Sequence, residues 1–179
     1  ADIAAWDRAE LGPHIGYLPQ AIELFDGSIP ENISRFGDLS PEKVVAAAKL
    51  SGVHEMILQL PQGYDTVIGG AGGVLSGGQR QRIGLTRAVY GSPKLMVLDE
   101  PNSNLDDQGE KELVKAINRI KQMGCTVIVI THRTMLLQCV DKILVMKDGL
   151  AAAFGPRDQV LAGLMAPAKA PAAIASGGR

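Results

Sequence analysis

Two adjacent carboxylates, Asp99 and Glu100, follow the apolar run LMVL. The run is apolar without alternation, as expected of a strand buried in a parallel sheet. Open α/β sheets bind ligands at the carboxyl ends of such strands. An aspartate there can hold Mg²⁺, directly or through water, and a neighbouring glutamate can act as a general base on an attacking water. A solvated strand end that happens to be acidic is the alternative interpretation.

The string LSGGQ, residues 75–79, is a second candidate for chemistry. Gly77 and Gly78 carry no side chains, so their backbone amides can approach an oxyanion. A helix that begins here adds its positive end, and Ser76 adds a hydroxyl. A glycine-rich linker ahead of an ordinary serine cap would explain the glycines but not this particular string. The sequence therefore indicates phosphate chemistry at this helix start.

A framework of strands and helices must position these groups, and the hydrophobic pattern indicates where its elements lie. Apolar runs predict strands over residues 15–20, 94–99, 125–131 and 142–149. Caps and breakers predict helices over about residues 40–52, 53–60, 77–90, 106–122, 133–139 and 156–164. Residues 21–36 are expected to be irregular, because Gly27 and Pro30 interrupt regular structure. The alternation of strand and helix predicts an α/β fold with a parallel sheet covered by helices.

The same elements suggest how the chain is organised. Residues 28–92 are mostly helical and are expected to form a separate lobe. Residues 93–164, together with 1–27, are expected to form the sheet core. The tail at 165–179 is rich in Ala, Pro and Gly and is expected to be disordered.

Composition narrows the possible functions. Hydrophobic residues make up 46% and charged residues 21% of the 179-residue chain, as in an ordinary globular protein. A net charge of −1 and an aromatic content of 4% argue against nucleic acid as a partner. No run approaches the ~20 apolar residues of a membrane-spanning helix, so a soluble chain is expected. Cys125 opens an apolar run and is expected to be a buried, reduced thiol.

The order of the motifs resembles the ATP-binding-cassette (ABC) ATPase family over about residues 1–160. LSGGQRQRIGLTRAV is followed by LMVLDEP, then SNLD, then VIVITHR. Upstream, IGYLPQ resembles the family's Q-loop, and LFDGSIPENI resembles the segment after it in exporter-type members. The resemblance implies a P-loop NTPase-like (RecA-like) parallel sheet with helices on both faces, plus an α-helical signature subdomain. It also implies ATP and Mg²⁺ as cofactors.

The resemblance also implies roles for the motif residues. Gln20 would contact the Mg²⁺ ion or the attacking water and relay the nucleotide state to transmembrane partners. Asp99 would be the Walker B carboxylate at the Mg²⁺ ion, and Glu100 the catalytic base. The signature would grip the γ-phosphate of an ATP held on the opposite subunit; its residues are Ser76, Gly77, Gly78 and Gln79.

Two further residues take their roles from the same resemblance. Asp106, in SNLD, would lie in the D-loop that crosses the dimer interface. His132 would be the switch histidine that touches the γ-phosphate. A lone histidine after an apolar strand is usually a capping or packing residue. The position of His132 behind VIVIT and downstream of SNLD favours the catalytic interpretation.

The phosphate loop of the family, G-x-x-x-x-G-K followed by Ser or Thr, does not occur in the 179 residues. The first hypothesis is an N-terminally truncated ABC ATPase whose parent drives export and which is inactive alone. The second is a naturally short, non-hydrolytic interaction module that lends its signature to a complete ABC partner. A non-transport ABC ATPase of the DNA-repair type is a third and weaker hypothesis, disfavoured by the exporter-like LFDGSIPENI.

Within the exporters, residues 64–93 most resemble type I secretion permease/ATPases, which export polypeptides from Gram-negative bacteria. This implies a second ABC ATPase subunit, a transmembrane domain of the same parent chain, a periplasmic adaptor and an outer-membrane channel as partners. It places the domain at the cytoplasmic face of the bacterial inner membrane. One departure is Gly70, where exporters usually carry a Glu that touches the coupling helices.

Overall fold

A computed structural model describes residues 5–69 and 75–165 of the chain. Its seven described strands are β1 (Ile15–Leu18), β2 (Gly27–Ser28), β3 (Val67–Ile68), β4 (Leu95–Asp99), β5 (Thr126–Ile130), β6 (Lys142–Lys147) and β7 (Leu150–Pro156). Its described α-helices are α1 (Arg8–Leu11), α2 (Ile29–Ile33), α3 (Pro41–Ser51), α4 (His54–Leu58), α5 (Gly77–Val89), α6 (Asp107–Gln122) and α7 (Arg157–Met165). Short 3₁₀ helices cover Gly12–His14, Gly63–Asp65 and Thr134–Cys139.

A three-stranded parallel sheet carries the motif residues. Its strand order is β1-β4-β5, so the Walker-B-like strand lies in the centre. Leu18 is in register with Leu98, and Asp99 with Ile130. The ends of the three strands therefore lie at one edge of the sheet. This confirms the α/β class and the parallel sheet predicted from the sequence.

Helices α5 and α6 bury one face of this sheet. Met96 and Leu98 of the central strand are fully buried in one apolar cluster with residues of both helices. Side chains alternate between the faces of a strand, and the alternate residues of β5 lie on the other side. There, Ile128 and Ile130 are about half exposed among the residues the structure describes.

A second apolar cluster lies under the helices that follow β1. Its buried members are Ile29, Ile33, Val44, Ala48, Val53, Ile57, Ile68, Leu75 and Ile83. Helix α5 contributes to this cluster through Ile83 and to the sheet cluster through Leu85 and Ala88. The helix therefore joins the signature string to both cores. The predicted boundaries of the helical lobe, residues 28–92, stay a prediction.

Residues 21–36 are more regular than expected. Ser28 caps α2 in a full capping box: its hydroxyl accepts from the Glu31 amide, and the Glu31 carboxylate accepts from the Ser28 amide. Pro30 lies in the first turn of α2, where a missing N–H has no cost. The prediction of an irregular segment was wrong here, because a first-turn proline was interpreted as a breaker.

By contact density the described chain divides after Cys139, and the part from Val140 onward forms its own compact unit. In this unit β6 pairs antiparallel with β7. The turn between them has positive φ at Asp148 (51°) and Gly149 (78°), as a tight two-residue hairpin requires. The strand β7 was not predicted, since LAAAFGP is rich in residues with weak strand preference. The domain limit at residue 164 stays a prediction, and the tail at 165–179 lies outside the described residues except Met165.

Two smaller predictions concern burial and membrane insertion. Cys125 is a buried free thiol, as expected, and this burial raises the pKa of the Cys125 thiol. Across the two described ranges, no helix combines the length and the hydropathy needed to cross a membrane.

Candidate functional site

Four residues expected to act on the ligand lie at the carboxyl edge of the parallel sheet. Gln20 follows β1 by two residues, Asp99 ends β4, Glu100 comes next, and His132 follows β5 by two residues. Because the three strands are parallel and adjacent, their ends meet at this one edge. Their position at a common edge of the sheet is therefore a direct result of strand order.

Glu100 and His132 form the central contact of the site. Glu100 Oε1 lies 2.8 Å from His132 Nδ1. The Glu100 side chain is 15% exposed and that of His132 is 78% exposed. The second carboxylate oxygen, Glu100 Oε2, is buried and has no hydrogen-bond partner among the described residues. A buried acceptor of this kind calls for a donor, so the carboxylate is oriented to receive one.

The backbone at Glu100 is held in an unusual conformation. Its φ of 45° lies in the left-handed region, which is uncommon for a residue with a side chain. The Glu100 amide donates to the Ile130 carbonyl at 2.9 Å, which extends the strand pairing by one residue. Strained backbone persists where surrounding contacts enforce it, and it is common at functional sites. Here it occurs at the residue directly after β4, whose carboxylate contacts His132.

Asp99 supplies a half-buried carboxylate beside this pair. Within the two described ranges, no group of three or more His, Cys, Asp or Glu could hold a metal ion by itself. Magnesium in nucleotide sites needs only one or two protein carboxylates, because substrate phosphates and water fill the other positions. The residues present therefore fit the protein share of a nucleotide-dependent Mg²⁺ site, for which Asp99 is the candidate ligand.

The signature string begins helix α5 with a capping box. The Gln79 amide donates to Ser76 Oγ at 3.2 Å, and the Ser76 amide donates to Gln79 Oε1 at 2.8 Å. The predicted serine cap is confirmed, and the part of Gln79 in it was missed. The amides of Gly77 and Gly78 are first-turn donors without intrahelical acceptors, as an anion site at a helix start requires.

The two glycines also allow close packing against the SNLD segment. A Cβ on Gly78 would lie 3.1 Å from the Asn104 carbonyl oxygen, and one on Gly77 would lie 3.7 Å from the Asn104 side chain. Asp106 caps α6, since its Oδ1 accepts from the Gly109 amide at 2.7 Å. Asp106 thus has an intrachain contact in addition to its expected place at a dimer interface.

Gln81 links the signature helix to the carboxylates and was not singled out from the sequence. It is buried, its Nε2 donates to the Glu100 carbonyl at 3.4 Å, and its Oε1 accepts from Asn104 Nδ2 at 3.2 Å. Two motifs separated by about twenty residues are therefore coupled through one side chain. The only sequence signal was a polar residue on the apolar face of α5.

An open groove of about 390 Å³ lies beside Gln20. Its lining includes Tyr17, Arg35, Phe36 and Arg87. Partial burial lowers the pKa of Arg35, and burial together with the neighbouring Arg35 charge lowers the pKa of Arg87. Both guanidinium groups donate to backbone carbonyls. Glu23 also lines the groove, so two guanidinium groups face one carboxylate there, and the tyrosine and phenylalanine rings make the lining partly aromatic. Gly70, the departure noted above, lies outside the described residues.

Comparisons with known proteins agree with this arrangement. The family model described as ABC transporter matches residues 1–103. The chain is 52% identical over 168 residues to the type I secretion system ATP-binding protein PrsD of Rhizobium meliloti, covering 93% of this chain and 29% of that protein. It is 44% identical over 163 residues to the cyclolysin secretion/processing ATP-binding protein CyaB of Bordetella pertussis, covering 90% and 23%.

Two further matches extend the comparison. The chain is 39% identical over 161 residues to the alpha-hemolysin translocation ATP-binding protein HlyB of Escherichia coli, covering 89% of this chain and 23% of that protein. A solved bacterial Atm1-family ABC exporter with ATP bound superposes with a TM-score of 0.81 at 34% identity, covering 90% of this chain and 29% of that one. The chain thus spans less than a third of the length of each of these proteins.

Proposed function

The chain belongs to the ABC transporter family, and from this premise we propose that it forms part of the ATP-binding domain of a membrane exporter. In this proposal the domain couples ATP binding and hydrolysis to the export of polypeptides by type I secretion. The observation that carries the enzymatic part is the contact of Glu100 with His132 at neighbouring strand ends. The likeness to secretion proteins of three bacteria supports the transport part.

Glu100 is the general base of the proposed reaction. One of its oxygens is held by His132, and the other is buried and lacks a protein donor among the described residues. A water that donates to this carboxylate would lose its proton to it as the water oxygen attacks the γ-phosphate, the bond to the β-phosphate oxygen breaks and ADP leaves. In its imidazolium form, His132 can donate from Nδ1 to the carboxylate and from its exposed Nε2 to a phosphate oxygen.

ATP and Mg²⁺ are the proposed cofactors. The metal, when bound, would neutralise charge on the β- and γ-phosphates. Asp99 would hold it, and Gln20, exposed beyond β1, would contact it or the attacking water. Each of these residues lies at the same sheet edge as Glu100, so they can act on one nucleotide.

The signature would act on a different nucleotide, held by a second ABC subunit. Gly77 and Gly78 offer first-turn amides at the start of α5, and the Ser76 hydroxyl is exposed beside them. The capping box fixes the direction of these donors before a ligand arrives. In the proposed dimer, Asp106 and its loop lie next to this surface, since Asn104 packs on the two glycines.

The groove beside Gln20 is the proposed contact with a transmembrane domain. Arg35 and Arg87 give it positive charge, and the Phe25 and Phe36 rings meet edge to face with centroids 6.0 Å apart. A helix that projects from the membrane with apolar and acidic side chains would complement this surface. The domain would then lie at the cytoplasmic face of the bacterial inner membrane, in an assembly with a periplasmic adaptor and an outer-membrane channel.

The 179-residue chain alone is expected not to bind ATP with micromolar affinity. It contains no G-x-x-x-x-G-K motif, whose lysine and amides cradle the β- and γ-phosphates in this class of site. Titration with a fluorescent ATP analogue measures this directly, with an unrelated intact nucleotide-binding protein as the positive control. Saturable micromolar binding by the chain would show that its remaining motifs hold a nucleotide unaided.

The proposed function is tested with a hybrid transporter. In it, this chain replaces the matching segment of PrsD, and the rest of that ATP-binding protein is retained. An identity of 52% leaves the buried contacts largely compatible. We expect Mg²⁺-dependent ATP hydrolysis well above that of PrsD with the segment deleted. A folded hybrid that binds ATP without hydrolysing it would instead favour the non-hydrolytic interaction module.

A further inference from the structure

We propose that a closed ring of contacts among four residues, three between side chains and one from a backbone amide, positions His132 against Glu100; its catalytic meaning rests on the function proposed above. The four members are Asn102, Glu110, Thr131 and Arg133. They come from the segment after β4, from helix α6 and from the segment after β5. None of them takes part in the proposed reaction, so they are positioning residues.

Three of the four contacts in the ring join two of these elements, and the fourth lies within the segment after β5. Asn102 Nδ2 donates to Glu110 Oε1 at 2.9 Å, and Arg133 Nη1 lies 3.5 Å from that same oxygen. Thr131 Oγ1 donates to Asn102 Oδ1 over a longer 3.4 Å. The Arg133 amide donates to Thr131 Oγ1 at 3.0 Å, which closes the ring.

Burial makes this ring costly to break. Asn102 is fully buried and Glu110 is 5% exposed, so their polar atoms depend on protein partners. A buried polar group that loses its partner costs about 1–3 kcal/mol, and more if it is charged. Arg133 supplies the opposite charge from the surface, where its side chain is 52% exposed. The ring is therefore buried at Asn102 and Glu110 and open to solvent at Arg133.

The ring acts on His132 because it holds the residues on both sides of it. The imidazole is 78% exposed, so little packing fixes its direction. Thr131 and Arg133 are instead bonded to one another and to buried groups, which fixes the backbone at His132. Asn102 lies two residues after Glu100 and is bonded to Thr131, which precedes His132. The ring therefore connects the segments that carry Glu100 and His132 through one buried side chain.

The test reads the imidazole of His132 in the full 179-residue chain by ¹⁵N NMR. The chain has three histidines, and each has a distinct expected state. The contact with Glu100 calls for a proton on His132 Nδ1 at a pH where the ring is neutral. His54 Nδ1 lies 2.9 Å from the Tyr64 hydroxyl and reports whether the fold is intact, while exposed His14 reports the solvent average.

Thr131→Val removes the hydroxyl and keeps the side-chain shape, and Thr131→Ser restores the hydroxyl. We expect the valine variant to shift the His132 nitrogen signals towards the solvent average, and the serine variant to return them. The His54 signals should stay unchanged in both. Unshifted His132 signals in a folded Thr131→Val chain would overturn the proposal.

A second variant covers the case in which Thr131→Val does not fold. Arg133→Met alters the ring only at its exposed edge, and a smaller shift in the same direction is expected. If the His132 signals of folded Arg133→Met match those of the original chain, the proposal is likewise overturned. The readout needs no nucleotide, so its failure is distinguishable from a hybrid that does not hydrolyse ATP.

Discussion

Replacing Glu100 by glutamine lowers the kcat of the hybrid transporter by about 10²- to 10⁴-fold while ATP binding is kept. Glutamine has nearly the same shape, and its amide oxygen can still accept from His132 Nδ1. It cannot take a proton from an attacking water, which is the step assigned to the carboxylate. The effect should be large because the substitution removes the proton acceptor that the proposed reaction assigns to the attacking water.

Steady-state hydrolysis and equilibrium nucleotide binding, measured on the same preparation, check this expectation. Glu55→Gln is the matched control, since it makes the same chemical change at an exposed position of α4. We expect the control to retain the kcat of the hybrid. Hydrolysis at the original rate by Glu100→Gln would remove Glu100 from the role of base. Loss of ATP binding instead would assign it to the nucleotide site.

The sequence was enough to predict that the candidate site residues lie at one edge of the sheet, because this depends only on strand order and direction. Apolar runs marked β1, β4 and β5 to within about two residues, and parallel pairing then brought their ends to one edge. The start of α5 at Gly77 followed from Ser76 and the glycines. Helix caps and apolar runs depend on residues that are close in sequence, so they can be recognised without a structure.

Contacts between distant residues could not be predicted in this way. Asn102 and Thr131 are bonded across 29 positions, and nothing in either local pattern points to the other. The same holds for Gln81, whose two contacts depend on how α5 lies against the end of β4. The strand β7 was missed for a different reason: its pairing with β6 overrides a composition with weak strand preference.

Replacing Gly16 by alanine is expected to destabilise the chain by about 3 kcal/mol or more. Gly16 lies in the middle of β1 and is buried against α5. A Cβ there would overlap the carbonyl oxygen of Ala88, which belongs to the helix backbone and cannot rotate away. The strand or the helix must therefore shift, and a shift opens the cluster that contains Leu18 and Met96. This is a large share of the 5–15 kcal/mol that stabilises an ordinary domain.

Urea unfolding of the 179-residue chain, followed by circular dichroism, measures this loss as a lower midpoint. Gly12→Ala is the matched control, because Gly12 has a helical φ of −51° and open space where the Cβ would lie. Its midpoint should stay the same or rise slightly. Equal midpoints for Gly16→Ala and the original chain would show that α5 can shift to accommodate the Cβ without lowering the free energy of unfolding. A loss confined to Gly16→Ala would establish that β1, and with it the position of Gln20, is fixed by direct contact between strand and helix backbones.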